Sequence, residues 1–141
     1  MRIFLDTNVF LYAAGRPHPE HAACVAVLQR VAAGSLDATS STEVVQEILH
    51  VLSRRGRREQ ALMLARGLIA LFPDLLSVTR GDVSSACILL DQYPRLSARD
   101  ALHASTMLRN GIDTIVSADA DFDSVDGIRR VTPSALTVPA H

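Results

Sequence analysis

The sequence contains no tryptophan and no lysine, and aromatic residues make up only 4% of its 141 positions. The core must therefore be built from Val, Leu, Ile and Ala. Hydrophobic residues make up 48% of the chain, which excludes an intrinsically disordered protein. The formal net charge is −1. This argues against a protein that holds nucleic acid through a global basic field, but it leaves a local basic patch open.

Only two cysteines are present, Cys24 and Cys87, and each lies in an apolar pattern of helical spacing. Their separation favours buried free thiols over a disulfide or a metal pair. No apolar run approaches the roughly 20 residues that span a bilayer, and the chain enters a strand directly, without the pattern of a signal peptide. We therefore expect a soluble, cytoplasmic protein with no membrane partner.

The chain begins with a short apolar run, Ile3-Phe4-Leu5, which ends at Asp6. Its β-branched and aromatic residues suit a buried strand. Thr7 and Asn8 are cap and turn residues, and apolar residues follow them at helical spacing. We predict that Asp6 stands at the carboxyl end of a central strand, where open α/β sheets bind ligands. A buried carboxylate there needs a metal or a basic side chain to balance its charge.

The later segments alternate between strand and helix patterns, with no linker, repeat or low-complexity segment. This alternation predicts an α/β fold, with one domain over 1–141 and a central, mainly parallel sheet of about four to five strands flanked by helices. We expect the tail after about residue 133 to be loosely ordered. The further strand patterns are 36–39, 75–78, 113–117 and 128–131. The helix patterns are 9–14, 20–33, 40–55, 57–72, 79–93 and 97–110.

Three helix starts carry the pattern of a capping box, in which a Ser or Thr and an acid three residues later cap the helix together. The pairs are Ser40 with Glu43, Thr79 with Asp82, and Ser97 with Asp100. For Glu43 we favour this capping role over a catalytic one. Asp100 is ambiguous, because it fits the box and also shares a helix face with Ala104 and Met107.

Acids directly follow two of the predicted strands: Asp6 follows the first, and Asp119, Asp121 and Asp123 follow 113–117. Parallel strand ends meet at one edge, so we expect these acids to converge. Clustered carboxylates repel unless a cation sits among them. Their hard oxygen atoms suit Mg²⁺ or Mn²⁺ better than zinc, and such a site activates water and clamps a phosphodiester. The alternatives are that Asp6 only caps a helix and that Asp121 and Asp123 only form a turn.

Glu47 has no capping role, and it lies close to the apolar stripe of the 40–55 helix. A carboxylate at the margin of buried surface requires a reason. We therefore regard Glu47 as a further candidate for the acidic site.

These segments together resemble the PIN-domain ribonucleases, and within them the VapC toxins of bacterial toxin–antitoxin modules. The resemblance covers nearly the whole chain, and the spacing and order of the segments agree with the family. The segments that carry it are Ile3-Phe4-Leu5-Asp6-Thr7-Asn8, Val44-Val45-Gln46-Glu47-Ile48-Leu49, Ser97-Ala98-Arg99-Asp100-Ala101-Leu102-His103-Ala104 and Ser117-Ala118-Asp119-Ala120-Asp121-Phe122.

The resemblance implies a single PIN-like domain that cuts RNA at three or four acids around Mg²⁺ or Mn²⁺. It implies metal ligation by Asp6, Asp100 and Asp119. Glu47 would bind or orient the metal-bound water, and these four acids would be the catalytic residues. Asp121 is the substitute for Asp119, and the choice between Glu43 and Glu47 also stays open.

Other residues would assist the site through the same resemblance. Thr7, Asn8 and Ser117 would support the acids by hydrogen bonds. For His103, one turn after Asp100, we favour a structural role, or a role in supporting the metal ligands, over that of a general acid.

The resemblance also implies a homodimer that a VapB-type antitoxin silences, and a basic side chain inserted among the acids is a plausible means. For RNA binding, the candidates are arginines around Gly56 and near the third motif, although a solvated surface explains the first group equally well. These arginines are Arg54, Arg55, Arg57, Arg58, Arg95 and Arg99.

Other classes of protein also place an Asp after the first strand. Haloacid dehalogenase-type phosphotransferases require a second acid two residues after the first, where this chain has Asn8. They also require a lysine, and this sequence contains none. Receiver domains need the same lysine. A non-catalytic PIN-like module that binds RNA or a protein stays open as the alternative, as does a dimeric scaffold for antitoxin-dependent repression.

Overall fold

A computed structural model describes residues 1–137, which fold around a sheet of four parallel strands. The strands are β1 (Ile3–Leu5), β2 (Ala38–Thr39), β3 (Thr114–Val116) and β4 (Arg129–Val131). Their order across the sheet is β2-β1-β3-β4, and every neighbouring pair is parallel. The predicted α/β class and the central position of β1 are therefore confirmed.

Helices flank this sheet, and a 3₁₀ helix (Ala120–Ser124) follows β3. The α-helices are α1 (Thr7–Ala13), α2 (His21–Ala32), α3 (Thr42–Arg54), α4 (Arg58–Leu71), α5 (Arg80–Gln92), α6 (Ala98–Arg109) and α7 (Pro133–Thr137). Among residues 1–137, none of the helices has the length and apolar character needed to cross a bilayer.

The core forms around β1, whose residues Ile3–Leu5 are all buried. Phe10 of α1, Ile48 of α3 and Met107 of α6 belong to the same apolar cluster. Burying a side chain of this size contributes about 1.5–3 kcal/mol, so the position of β1 is strongly determined. Because the strand is fully buried up to Leu5, the next residue, Asp6, emerges at the edge of the sheet.

The carboxyl ends of β1 and β3 lie side by side. Leu5 pairs with Val116, and the backbone N–H of Asp6 donates to the Val116 carbonyl at 3.1 Å. The first residue after β3, Ser117, is therefore a neighbour of Asp6. This register creates the common edge that the sequence predicted.

The start of α3 corrects one predicted capping box. Ser41, not Ser40, is the N-cap, and its hydroxyl accepts a hydrogen bond from the Val44 N–H. Ser40 still belongs to the extended segment after β2, and its hydroxyl donates to the Leu5 carbonyl at 2.9 Å. The helix therefore begins one residue later than predicted, and Glu43 does not occupy the third helical position that a capping box requires.

The other two boxes differ from each other. In α5, the hydroxyl of Thr79 accepts from the Asp82 N–H and the Asp82 carboxylate accepts from the Thr79 N–H, so this box is confirmed. In α6, the Ser97 hydroxyl accepts from the Asp100 N–H. The carboxylate of Asp100 is instead part of the site described below.

Residues 75–78 do not form the strand that the sequence predicts. This segment touches the sheet edge through a single bridge between Ser41 and Leu76. The Leu76 N–H donates to the Ser40 carbonyl, and the Thr42 N–H donates to the Leu76 carbonyl. Because α3 begins at Thr42, its backbone curls away and the pairing cannot continue into a strand.

Part of the tail that the sequence predicts to be loosely ordered forms helix α7. Helix α7 is attached to α2, because Glu20 accepts hydrogen bonds from the N–H and hydroxyl of Ser134 at 3.0 and 2.9 Å. Arg30 donates to the Leu136 carbonyl at 2.7 Å. These bonds hold 133–137 in place, while 138–141 of the expected tail lie outside the described residues.

Both cysteines are free thiols. Cys24 is buried in α2, as predicted, and burial raises the pKa of its thiol to about 12. The predicted burial of Cys87 is wrong, because α5 packs through Ala86 and Leu89 and leaves Cys87 and Ile88 between them exposed.

Candidate active site

The centre of the site is Asp6, which follows β1 and caps α1. The residue is only 5% exposed. One carboxylate oxygen, Oδ1, accepts from the Thr7 N–H at 2.8 Å, and the other, Oδ2, accepts from the Ser117 hydroxyl at 2.7 Å. Burial raises the pKa of Asp6, although His103 and the hydrogen bond from Ser117 oppose the shift. Capping is thus one role of Asp6, but it occupies only one of the two oxygens.

A hydrogen-bond network joins α1 to the loop after β3. The amide of Asn8 donates to the Ser117 hydroxyl at 2.9 Å and to Asp6 Oδ2 at 3.3 Å, while its carbonyl oxygen accepts from the Ala118 N–H at 3.2 Å. The Asp119 N–H in turn donates to the Ser117 hydroxyl at 3.0 Å. The network fixes the orientation of the Asp6 carboxylate from both strand ends.

Helices α3 and α6 bring Glu47 and His103 to the same place. His103 is fully buried, and its Nε2 lies 3.1 Å from Glu47 Oε1 and 3.8 Å from Asp6 Oδ1. Burial opposes a charged imidazole, but the hydrogen bond to Glu47 and the charge of Asp6 outweigh it and raise the pKa of His103. Burial also opposes charge on Glu47, yet the hydrogen bond from His103 lowers the pKa of that carboxyl below its usual range. The pair therefore favours a protonated imidazole beside an ionised glutamate.

Asp100 lies one turn before His103 on α6 and faces the same site. Burial, followed by the charge of Asp6, raises the pKa of Asp100 to about 7. Ligand atoms of Asp6, Asp100 and His103 all lie within 4.8 Å of one another. Two carboxylates at this separation, both with raised pKa values, repel each other in the absence of a cation.

This arrangement fits a divalent cation. The carboxylate oxygens supply hard ligands, and a cation between Asp6 and Asp100 would offset the burial and the mutual repulsion that raise the pKa of Asp100. The sequence placed His103 beside the site in a structural or supporting role, because a residue three positions after Asp100 on a helix lies on the same face. It did not predict that an imidazole nitrogen would lie as close to the carboxylates as a metal ligand would.

Glu43 and Glu47 have different environments. Glu47 contacts His103, whereas Glu43 lies one turn earlier on α3, outside the group of Asp6, Asp100 and His103. Since Glu43 also has no capping box, the structure leaves it as a half-buried carboxylate at the start of a helix. Its negative charge there is favourable to the helix dipole.

Asp119 and Asp121 lie at the rim of the site, on the loop and 3₁₀ helix after β3. Both are exposed, and Asp119 Oδ1 accepts from the Asp121 N–H at 3.2 Å. Desolvation and the neighbouring Asp121 raise the pKa of Asp119, and the charge of Asp6 adds to the shift. Asp123 is instead paired with Arg130, at 2.7 and 3.0 Å, which lowers the pKa of its carboxyl. Only the first two acids are thus open to the site.

The candidate RNA-binding arginines are separated in the structure. Arg55 and Arg57 line one cleft, and Arg54 lines a different depression on α3. Arg58 and Arg95 are exposed. Arg99 is half-buried near the acids, where its charge contributes to the lowered pKa of Glu47 after the larger effect of His103.

Comparison with known proteins shows the family of the chain. The family profile described as PIN domain matches residues 3–128. A VapC ribonuclease of Mycobacterium bovis is 34% identical over 129 residues, which cover 92% of this chain and 98% of the relative. Ribonuclease VapC23 of Mycobacterium tuberculosis is 36% identical over 120 residues, which cover 83% of this chain and 92% of the relative.

Solved structures share the fold at lower identity. VapBC2 of Rickettsia felis, bound to a promoter DNA fragment, has a TM-score of 0.72 at 18% identity, covering 94% of this chain and 98% of that chain. VapC20 of Mycobacterium tuberculosis, a toxin that cleaves the sarcin–ricin loop, has a TM-score of 0.70 at 21% identity. The match covers 88% of this chain and 95% of that chain. From the matched profile and the curated relatives, the chain belongs to the PIN-domain family and, within it, to the VapC ribonucleases.

Proposed function

We propose that this chain is the toxin of a type II toxin–antitoxin pair, a metal-dependent endoribonuclease that hydrolyses RNA phosphodiester bonds at the site around Asp6. The observation that carries the proposal is the convergence of Asp6, Glu47, Asp100 and His103 at the carboxyl edge of the sheet. The match to VapC ribonucleases supports the same reaction.

We propose Mg²⁺ or Mn²⁺ as the cation, because the donors are chiefly carboxylate oxygens. Asp6 and Asp100 would hold it, with Asp119 reaching in from the rim and Asp121 as the substitute for that acid. When bound, such a cation neutralises phosphate charge and lowers the pKa of a coordinated water. The network through Asn8 and Ser117 keeps Asp6 oriented while the substrate enters.

Glu47 and His103 have distinct proposed roles. Glu47 is ionised at neutral pH and orients the attacking water, whose proton its carboxylate can accept. His103 is a positioning residue, because its Nε2–H holds Glu47 Oε1 at 3.1 Å and its ring is sealed from solvent. Attack by water on phosphorus breaks the bond to the 3′ oxygen, so the products carry a 5′-phosphate and a 3′-hydroxyl.

The same proposal includes a VapB-type antitoxin as partner. A cationic side chain placed between Asp6 and Asp100 would relieve their repulsion and exclude a metal from the site. Since the proposed RNA substrate and the antitoxin are made in the cytoplasm, we propose that compartment for this protein. The homodimer expected from the resemblance stays a prediction, which light scattering of the purified chain can test.

The test is cleavage of total RNA by purified protein with Mg²⁺, Mn²⁺ or EDTA. Wild type should cut at discrete sites and only with metal, while Asp6→Asn and Asp100→Asn should be inactive although folded. Asp91→Asn, which removes an exposed carboxylate from α5, serves as the matched control and should cut like wild type.

Each other outcome points to a specific error. Residual cutting by both folded active-site variants at the wild-type rate would contradict the site assignment. If no protein cuts but wild type binds RNA, the chain is a non-catalytic RNA-binding module, and the endonuclease proposal fails.

A further inference from the structure

A second concave surface lies away from the acids, at the ends of α1 and α3. This cleft of about 540 Å³ is lined by apolar residues at its base, including Leu11 and Leu52, and by three arginines: Arg16, Arg55 and Arg57. Within the described range 1–137, no acidic residue lines this cleft. The cleft therefore combines a defined shape with a charge of one sign, in a chain whose formal net charge is −1.

The three guanidinium groups are not needed to balance charge within the fold. Other arginines have clear structural partners: Arg109 is paired with Asp82 and Arg130 with Asp123. Among residues 1–137, Arg16, Arg55 and Arg57 have no carboxylate within ion-pairing distance. Three unpaired cations around one concavity repel each other, and an anion in the cleft would relieve that repulsion.

The walls of the cleft are held by local contacts. The Gln60 amide donates to the carbonyl of Ala14, which joins α4 to the end of α1. The guanidinium of Arg16 lies over the Tyr12 ring, 6.0 Å from its centroid, and the His18 ring is also stacked on Tyr12, with 4.0 Å between the ring centroids. The segment that carries Arg16 is thus positioned by the aromatic pair rather than left free.

Helix dipoles at the cleft are the smaller electrostatic effect. The carboxyl ends of α1 and α3 each contribute about half a negative charge, while α4 begins at the cleft and contributes about half a positive charge. Arg57, the N-cap of α4, makes no side-chain hydrogen bond to the first N–H groups of that helix, so these donors are left for an anion. The three full charges of the arginines exceed these partial charges, and the cleft is positive.

The cleft is connected to the acids by two helices that run in the same sense. Asp6 caps the start of α1 and Ala14 caps its end, a rise of about 12 Å. On α3, Glu47 lies at the acids and Arg55 caps the end, again about 12 Å away. The proposed contacts of an RNA strand with the acids and with the cleft are therefore about 12 Å apart along the helix axes.

We propose that Arg16, Arg55 and Arg57 form a phosphate-binding cleft that holds the RNA backbone a few nucleotides from the bond that is cut. The proposal rests on RNA as the substrate of the proposed function and names the residues that hold it. Arginine suits phosphate because its planar guanidinium donates two parallel hydrogen bonds to phosphate oxygens. The absence of aromatic residues from the lining predicts backbone contacts without base stacking, and so little sequence preference from this cleft.

The experiment measures binding of a labelled single-stranded RNA of mixed sequence by fluorescence anisotropy, in EDTA and on an Asp100→Asn background that cannot cut. The variant carries Arg16→Ala, Arg55→Ala and Arg57→Ala. For single strands, each phosphate contact contributes about 0.7 to the slope of log affinity against log salt. We therefore expect the slope to fall by about 2 and the affinity at about 0.1 M salt to fall about 100-fold.

The matched control removes three exposed arginines elsewhere: Arg66→Ala, Arg80→Ala and Arg129→Ala. Since both triple variants change the net charge equally, only a local site predicts a difference between them. Circular dichroism melting should show that both are folded. With intact acids and metal, the cleft variant should raise KM for RNA cleavage and change kcat by less than about twofold, because the cleft is remote from the reacting atoms.

The two proposals fail separately. If wild type cuts RNA and the cleft variant binds with the same slope and affinity as the control, the cleft proposal is refuted and the nuclease stands. If nothing cuts but the cleft variant alone loses RNA binding, the cleft stands and the nuclease proposal fails. A wild-type protein that binds a polyglutamate peptide through these arginines, and no RNA, would overturn the assignment of RNA as the ligand.

Discussion

Replacing Asp100 with asparagine should make the metal-free protein more stable above about pH 7, although it removes a proposed metal ligand. The reason is the environment of the carboxylate: burial and the charge of Asp6 both disfavour its ionised form. Asparagine has nearly the same shape and carries no charge. The Ser97 hydroxyl would still cap the backbone N–H of residue 100, because that bond does not involve the replaced side chain.

The magnitude follows from proton linkage. The pKa of Asp100 is raised from 3.8 to about 7, so between these values the folded protein keeps a proton that the unfolded chain has released. Stability therefore falls as pH rises through this window, and the loss is complete above about pH 7. At 1.36 kcal/mol per pH unit the upper limit is about 4 kcal/mol. Because Asp100 is partly in contact with water, screening reduces the expected value to about 1–2 kcal/mol.

The assay is urea denaturation in EDTA from about pH 4 to pH 8, for wild type, Asp100→Asn and the control Asp91→Asn. Between pH 4 and pH 8, the free energy of unfolding of Asp100→Asn should rise by about 1–2 kcal/mol relative to that of wild type. The difference between Asp91→Asn and wild type should not change with pH. Adding Mn²⁺ at pH 8 should stabilise wild type more than Asp100→Asn, because binding to the folded state alone shifts the equilibrium. A difference between Asp100→Asn and wild type that does not grow with pH would refute the argument from carboxylate repulsion.

Three further predictions, which use four substitutions, concern contacts of single side chains and are tested by urea denaturation. His103→Ala should cost about 3 kcal/mol, because it leaves a buried cavity and removes the donor to Glu47; an unchanged midpoint would contradict the 3.1 Å contact. Ser41→Ala should lower the free energy of unfolding by about 1 kcal/mol, because it removes the N-cap of α3, whereas Glu43→Gln should change it by no more than about 0.5 kcal/mol. Equal losses for the two variants would support the capping role predicted for Glu43 and contradict the structure. Asp82→Ala should lower the free energy of unfolding by about 2–3 kcal/mol, which is less than for a fully buried ion pair because the Arg109 side chain is 43% exposed. RNA cleavage per folded molecule should be unchanged. A selective loss of cleavage would place Asp82 in the active site.

Local patterns in the sequence were sufficient for most of the fold. The apolar run before Asp6 identified β1, and the alternation of strand and helix patterns identified the parallel sheet. The ends of α1–α6 were predicted to within two residues, because caps and breakers act on near neighbours. The exceptions are positions where a distant segment intervenes: Ser40 bonds to the Leu5 carbonyl and so delays the start of α3 by one residue.

By itself, the sequence determined that acids follow the ends of two parallel strands, which brings Asp6 and Ser117 together through sheet register alone. The tertiary structure decided which further side chains join them. The contact between Glu47 and His103 links residues 56 positions apart, and it depends on how α3 and α6 pack against the same sheet. Likewise, Arg16 and Arg55 line the same cleft because α1 and α3 end close to each other. Patterns of a few residues report local backbone preference. The contact between Glu47 and His103 and the shared cleft of Arg16 and Arg55 depend on the packing of whole helices, which no short pattern encodes.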